Sequence, residues 1–334
     1  MPHPHRALYL IARPGDGELR DEILELREST LPDVGEGQLR VATRYISVDP
    51  AMRVWMTEAK SYWPPVELGA VMRAQAIGEV VESRHAKYPV GAWVSGMIGV
   101  QDGLVSDGKG LRVFDPRMLP DPAWALSVFG ATGMTAWFGL HDIGRIQSGE
   151  VVVVSAAAGA VGSAAVQFAK AHGCRVIGIA GGPDKCAYVR DTLGADEAID
   201  YKAGGIGKAL SAACPDGIDV YFDNVGGETL DAVLKRLRLK ARIVLCGGIS
   251  QYGAAEVRGP ANYLSMISAR ARMEGFVVID YLHRAEEAIA TMAPWAAAGK
   301  LTSKLDIVEG LDNFAAALRR VYSGANFGKQ WLKV

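Results

Sequence analysis

Residues 151–162 read Val-Val-Val-Val-Ser-Ala-Ala-Ala-Gly-Ala-Val-Gly, and no other stretch restricts the fold as tightly. A continuous β-branched run predicts a strand buried on both faces. It leads into Ala157-x-Gly159-x-x-Gly162 and then a helical pattern. Val161, Ala164, Ala165, Phe168 and Ala169 share one helix face, and Gly173 stops it. This is the dinucleotide fingerprint with alanine in the first glycine place. Gly159 lets the backbone approach a pyrophosphate closely, and Gly162 allows tight helix–strand packing. The helix start, at Ala160 and Val161, offers unpaired N–H groups and a positive dipole end to phosphates.

Further apolar strands are expected at 175–180, 197–201, 218–225, 241–246 and 274–279, with helices between them. Repeated β-α-β units imply an α/β fold with a Rossmann-type, doubly wound parallel sheet. Residues 283–299 read as another helix, with a kink expected at Pro294. The last stretch, 300–334, returns to strand–helix–strand and is expected to fold back onto the amino-terminal part.

The first 120 residues have a different pattern. Leu39, Val41, Thr43 and Tyr45 alternate at period two, which predicts a half-buried strand over 38–47. Short strands are expected at 77–82, 92–100 and 111–114, separated by Gly and Pro, in a small irregular barrel. The expected division is therefore 1–123 with 302–334 as a β-rich domain, and 124–301 as the dinucleotide-binding domain.

The end of the second Rossmann strand bears on cofactor choice. An NAD site places Asp or Glu there, on the ribose hydroxyls. Here the sequence is Ile179-Ala-Gly-Gly-Pro-Asp-Lys185, with no acid at the strand end. Gly181 and Gly182 leave room, and Lys185 either meets a 2′-phosphate as a point charge or is an exposed helix lysine. Asp184 either repels that phosphate or caps the following helix. The expectation is NADPH.

Composition excludes several classes. A formal net charge of −1 over 334 residues attracts neither nucleic acid nor an anionic membrane. The apolar stretch around 151–158 is too short to span a bilayer. The run Ala7 to Ala12 has no small-residue cleavage site after it, so the expected location is cytoplasmic. Cys174, Cys186, Cys214 and Cys246 form no CxxC pair and are expected to be free thiols.

Six stretches carry a family resemblance: Val48-Asp-Pro-Ala-Met-Arg53, Gly133-Met-Thr-Ala-Trp-Phe-Gly-Leu140, 156–162, Tyr221-Phe-Asp-Asn-Val-Gly-Gly227, Gly247-Gly-Ile-Ser-Gln-Tyr252 and Gly324-Ala-Asn-Phe-Gly-Lys329. Over its whole length the chain resembles the medium-chain dehydrogenase/reductase superfamily. Within it, the chain resembles the leukotriene/prostaglandin reductase and plant double-bond reductase branch. The resemblance implies a barrel like that of the GroES chaperonin beside the Rossmann domain. It implies that Lys185 and Tyr201 hold the adenosine phosphate end of the cofactor. Asn224, Cys246 and Ser250 would line the ribose and pyrophosphate path. Thr135, Phe276, Val278 and Asn326 would surround the nicotinamide half. It also implies a homodimer joined near 274–281.

Zinc alcohol dehydrogenases share this fold and carry a Cys and a Gly-His-Glu in two loops. Here those regions read Ile46-Ser-Val-Asp-Pro50 and 68–79, without Cys or His, and the six histidines are scattered. No metal is expected. Reduction of an activated C=C bond requires none. Hydride goes to the β-carbon, and the carbonyl oxygen that gains charge needs a donor. Tyr252 is the catalytic candidate. Either it donates or orients the proton, or it packs on the cofactor and solvent supplies the proton. Many family members have tyrosine where this chain has Ala51, which would either open the substrate pocket or remove a polar contact from it. Trp55, Tyr62 and Trp63 would then supply aromatic walls, or serve as core and loop anchors. The partner expected is a small-molecule α,β-unsaturated carbonyl substrate, with bulkier enones tolerated. A quinone reductase of the same fold and a non-catalytic NADPH-binding sensor are the rival readings.

Overall fold

The computed structural model describes residues 3–334 and divides into two compact units, one of 3–127 with Leu305–Val334 and one of Val128–Lys304. The chain first lays down seven strands: β1 (His3–Leu10), β2 (Leu24–Leu31), β3 (Leu39–Ser47), β4 (Ala76–Ser83), β5 (Trp93–Gly96), β6 (Gly103–Ser106) and β7 (Arg112–Phe114). Six more follow: β8 (Val151–Ser155), β9 (Arg175–Ala180), β10 (Glu197–Asp200), β11 (Ile218–Asp223), β12 (Leu237–Leu245) and β13 (Arg272–Gly275). The closing segment contributes β14 (Leu305–Glu309) and β15 (Lys329–Lys333), with a helix at Phe314–Ser323 between them.

In the β-rich unit the hydrogen-bonded path is open, β14-β15-β3-β4-β5-β7, with β6 also on β3. β3 organises this sheet. Its first half pairs with β6 and its last three residues with β15. The expected alternation holds for Leu39, Val41 and Thr43, all buried. It fails at Tyr45. A register shift between Thr43 and Tyr45 leaves that ring half-buried and turns Ile46 inward instead. Tyr45 then meets the buried Trp331 edge-on at 6.3 Å. The antiparallel pair β1–β2 and strand β6 were not expected. β2 is mostly polar and exposed, so it shows no apolar face to read.

The second unit holds a six-stranded sheet, all parallel, in the order β10-β9-β8-β11-β12-β13. β8 lies at its centre with all five residues buried. The order reverses between β8 and its two neighbours, and such a switch point opens a crevice at the carboxyl ends of the strands. The helix Ala160–Ala171 packs its alanine-rich face down, with Gly162 and residues 163–169 buried. The strand expected over 274–279 is displaced: β13 ends at Gly275. Its partner on β12 there is Leu245, beyond which the chain turns away into the Gly247-Gly248 loop. Phe276 therefore lies outside the sheet, and Val278–Arg284 form a 3-10 turn before the helix Ala285–Ala297, which runs through Pro294. Among the described residues no helix is long and apolar enough to cross a membrane.

Candidate cofactor and active site

The nucleotide turn is built where β8 ends. Ala156 adopts a left-handed φ of +48°, and its neighbour Ala157 donates its N–H to the Ile179 carbonyl on β9 at 3.0 Å. Gly159 caps the following helix in an extended conformation. The two glycines differ physically. A Cβ on Gly162 would stand 2.2 Å from the Ala156 carbonyl oxygen and 2.9 Å from the Ala157 Cα. A Cβ on Gly159 would meet only the Ala156 oxygen, at 3.1 Å. Gly162 is thus closed in by the protein's own backbone, whereas Gly159 faces open space. The N–H groups of Ala160, Val161 and Gly162 lie in the first helical turn, where no intrahelical acceptor exists. A cradle of this kind suits a pyrophosphate.

Beside it, at the end of β11, Asp223 is fully buried. Its Oδ1 accepts from the Tyr221 hydroxyl at 2.8 Å, the Ser155 hydroxyl at 3.2 Å, and the N–H groups of Val225 and Gly226, both at 2.9 Å. Its backbone carbonyl accepts from Cys246 N–H at 2.9 Å and Gly247 N–H at 3.0 Å. Burial raises the carboxyl pKa, and the surrounding donors pull against that rise. Asn224 spends its side-chain amide on the Ser155 carbonyl at 2.7 Å. Ser250 donates its hydroxyl to the Val225 carbonyl at 2.6 Å. Three expected cofactor contacts, Asn224, Cys246 and Ser250, are thereby drawn together around one carboxylate. Asp223 lies within the Tyr221-Phe-Asp-Asn-Val-Gly-Gly227 stretch, where its residue type and spacing alone assign it no role.

Tyr252 ends the same loop. Its phenol oxygen accepts the Gly248 N–H at 3.1 Å, and burial pushes its pKa above the ordinary value, with Cys246 and Asp223 adding to the rise. The phenol is therefore a proton-bearing group at neutral pH. Burial also pushes the Cys246 thiol up to about 12, so it stays neutral.

At the far end of the cradle, Gly181 is covered by the Tyr201 ring. A Cβ there would lie 2.8 Å from that ring and 3.0 Å from Lys202 Cε. Gly182, at φ +91°, opens the short helix Pro183–Ala187 that carries Lys185. Asp200 is the acid at the end of β10. Its Oδ1 accepts from Gly182 N–H at 2.8 Å and Lys202 N–H at 2.9 Å, and the Gly182 bond foremost holds its pKa below the usual range. That carboxylate is spent on backbone, and no acid ends β9. Lys202 was not anticipated, although it directly follows Tyr201. The uncrowded Gly159, the first-turn amides of 160–162 and a β9 that ends without an acid fit NADPH.

In the same unit, Thr135 turns its hydroxyl back onto the Ala131 carbonyl at 2.7 Å. Phe276 packs on Gly139, where a Cβ would lie 2.8 Å from its ring. Val278 begins the 3-10 turn whose Tyr281 ring stacks on Phe138 at 5.1 Å.

The remaining expected residues belong to the β-rich unit. Asn326 donates its side-chain amide to the Gly328 carbonyl at 2.9 Å. Ala51 opens the helix Ala51–Trp55, and Trp55 is buried, Trp63 half-buried and Tyr62 exposed. Two of the quoted stretches meet here. Asp49 accepts from the buried Lys329 ammonium at 2.5 Å, and the Tyr322 hydroxyl donates to the Pro50 carbonyl at 2.5 Å. Among the described residues no three His, Cys, Asp or Glu side chains converge to hold a metal ion.

With this geometry in place, comparison with known proteins is informative. Residues 6–114 match the family described as the N-terminal domain of oxidoreductase, and residues 160–296 the family described as zinc-binding dehydrogenase. The chain is 40% identical to the NADPH-dependent curcumin reductase of Escherichia coli (strain K12), over 99% of this chain and 97% of that one. It is 38% identical to prostaglandin reductase 1 of Rattus norvegicus, over 95% of this chain and 96% of that one. The solved structure of CurA in complex with NADPH from Vibrio vulnificus superposes with a TM-score of 0.93 at 41% identity, covering 98% of this chain and 99% of that one. The chain belongs to the medium-chain dehydrogenase/reductase superfamily, in its zinc-free leukotriene/prostaglandin reductase and alkenal/enone double-bond reductase branch.

Proposed function

We propose that this chain, an NADPH-dependent oxidoreductase acting on CH–CH groups, reduces the C=C bond of α,β-unsaturated ketones and aldehydes. The observation that carries the reading is the interlocked set of turns around Asp223. It holds the nucleotide cradle and the protonated Tyr252 phenol in one rigid assembly. NADPH, when bound, supplies a hydride for the β-carbon. The first-turn amides of 160–162 hold its pyrophosphate, and Lys185, with the Tyr201 ring, holds its adenosine phosphate. Tyr252 keeps its proton because burial disfavours the phenolate. It donates a hydrogen bond to the carbonyl oxygen as charge collects there, which stabilises the transition state more than the ground state, and a proton delivered to the α-carbon of the resulting enolate, from this phenol, then completes the saturated carbonyl.

The test follows NADPH absorbance with a panel of enones and enals, with NADH and simple quinones in parallel. Enones should consume NADPH and yield the saturated carbonyl. Tyr252→Phe should lower kcat about 100-fold while NADPH binding is unchanged. The wild-type rate should also hold as pH rises to the phenol's ordinary value of about 10, because the raised pKa preserves the donor. Full turnover by Tyr252→Phe would reassign the proton to solvent. NADPH binding without enone turnover would favour the quinone or sensor reading.

A second copy of the chain is proposed to pair at β13 and residues 274–281. β13 is the last strand of its sheet, and unpaired strand edges invite pairing. The nearby Leu264 and Ile267 side chains are 59% and 72% exposed. Light scattering at micromolar concentration should give twice the chain mass; a monomer would refute this.

A further inference from the structure

In a Rossmann unit the pyrophosphate sits at the first glycine turn, and the adenosine ribose lies over the end of the next strand. That strand is β9, and β10 flanks it on the side away from β8. The last residues of the two strands, Ala180 and Asp200, are paired, so Tyr201 and Lys202 run on beside Gly181 and Gly182. The junction is fixed. The Asp200 carboxylate accepts Gly182 N–H at 2.8 Å and Lys202 N–H at 2.9 Å, both through Oδ1. Lys202 is thereby tied by its own backbone to the turn that follows β9.

Its side chain lies back over that turn. A Cβ on Gly181 would meet the Tyr201 ring at 2.8 Å and the Lys202 Cε at 3.0 Å. The lysine stem and the tyrosine ring therefore fill the space beside Gly181. An NAD site puts an Asp or Glu at this strand end, on the ribose hydroxyls. Here a side chain at 181 is shut out, and the charged group in its place is a cation. Cε carries the ammonium, so the positive charge stands one bond from this position. A 2′-phosphate is anionic where the NADH ribose has only a hydroxyl, and a lysine meets it as a point charge.

We propose that Lys202 binds the 2′-phosphate of NADPH beside Lys185 and sets the preference for NADPH over NADH. This rests on the reading above that places the adenosine phosphate at Lys185 and Tyr201. The rival role for Lys202 is an exposed lysine whose stem only packs on the turn.

Fluorescence titrations of the purified protein with NADPH and with NADH test this without turnover. Lys202→Met should raise the NADPH Kd about tenfold and change the NADH Kd by less than about twofold. The wild-type advantage for NADPH should shrink as salt is added, and more steeply than that of Lys202→Met. Lys202→Arg should keep most of the NADPH affinity. Lys202→Glu should go further than Lys202→Met and reverse the preference, since it sets an acid where NAD sites carry one. An unchanged NADPH Kd in Lys202→Met would overturn the proposal, and so would an equal loss for NADPH and NADH, the mark of a structural role. If Lys185→Met loses the preference while Lys202→Met keeps it, the phosphate lies at Lys185 alone and only the role of Lys202 falls. If the wild type itself binds NADPH and NADH equally, this corner holds no phosphate and both readings fall. Should Lys202→Met not fold by circular dichroism, Lys202→Gln replaces it in both titrations.

Discussion

Replacing Asp223 with alanine should destabilise the nucleotide-binding unit by about 3–5 kcal/mol and abolish measurable NADPH binding. The carboxylate is the shared acceptor for Tyr221, Ser155, Val225 and Gly226, and alanine would leave all four buried or half-buried donors without it. Ser155 precedes the glycine turn and Val225 supports Ser250, so the damage reaches every wall of the cradle. Asp223→Asn should be far milder. Its amide oxygen can accept the same bonds, and its NH₂ would take the place of Oδ2, which is buried without a partner. The amide also removes a buried charge.

The pH dependence has a definite sign. The folded-state pKa of Asp223 lies above its unfolded value, so the folded state binds the proton more tightly. The stability this group contributes is fully present below the ordinary carboxylate pKa and is lost as pH rises through the folded value. Asp223→Asn has no such titration. In parallel urea melts from about pH 4 to about pH 8, wild type should lose stability relative to Asp223→Asn as pH rises. A difference that moves the other way would sink the account of a charge held against its desolvation.

Gly162→Val should be nearly as severe, costing about 3 kcal/mol or more and eliminating cofactor binding. Its Cβ would meet the Ala156 oxygen at 2.2 Å and the Ala156 carbonyl carbon at 2.8 Å. Both are backbone atoms at the end of a central strand and cannot yield as a flexible side chain would. The helix must lift from the sheet instead, and its first-turn amides lift with it. Gly159→Ala is the matched control. It meets one atom at 3.1 Å and already has an extended backbone, so the melt should change by less than about 1 kcal/mol. NADPH affinity should nevertheless fall roughly tenfold, because the new methyl fills space left for the pyrophosphate. Thermal melts and NADPH fluorescence titrations of the two variants separate packing from binding. Equal behaviour in both assays would show that the two glycines serve one role.

The Rossmann unit was legible because its information is local. A strand buried on both faces must be apolar throughout, as Val151–Ser155 is, and a helix that packs tightly on it needs Gly162. Gly181, Gly182 and Lys185 are nearly adjacent in the chain, so the sequence names them together as candidates for the phosphate corner, whereas the Tyr201 ring that covers Gly181 arrives from the end of another strand. Reading failed where an element depends on a distant partner. β2 is a strand only because β1 lies against it, and Tyr45 leaves its expected face because of a bulge that pairing with β4 imposes. β13 stops at Gly275 because β12 turns away, which moved Phe276 and Val278 off the strand predicted for them.

By itself, then, the sequence determined the parallel sheet, the glycine turn and the family, all written in contiguous residues whose burial and backbone geometry allow few alternatives. Tertiary structure alone decided which polar groups are spent and which remain. Asp200 satisfies backbone amides, and Asp223 ties three turns together. Hydrogen bonds and ion pairs join residues tens to hundreds of positions apart, and whether a charge is neutralised depends on the atoms that surround it in space.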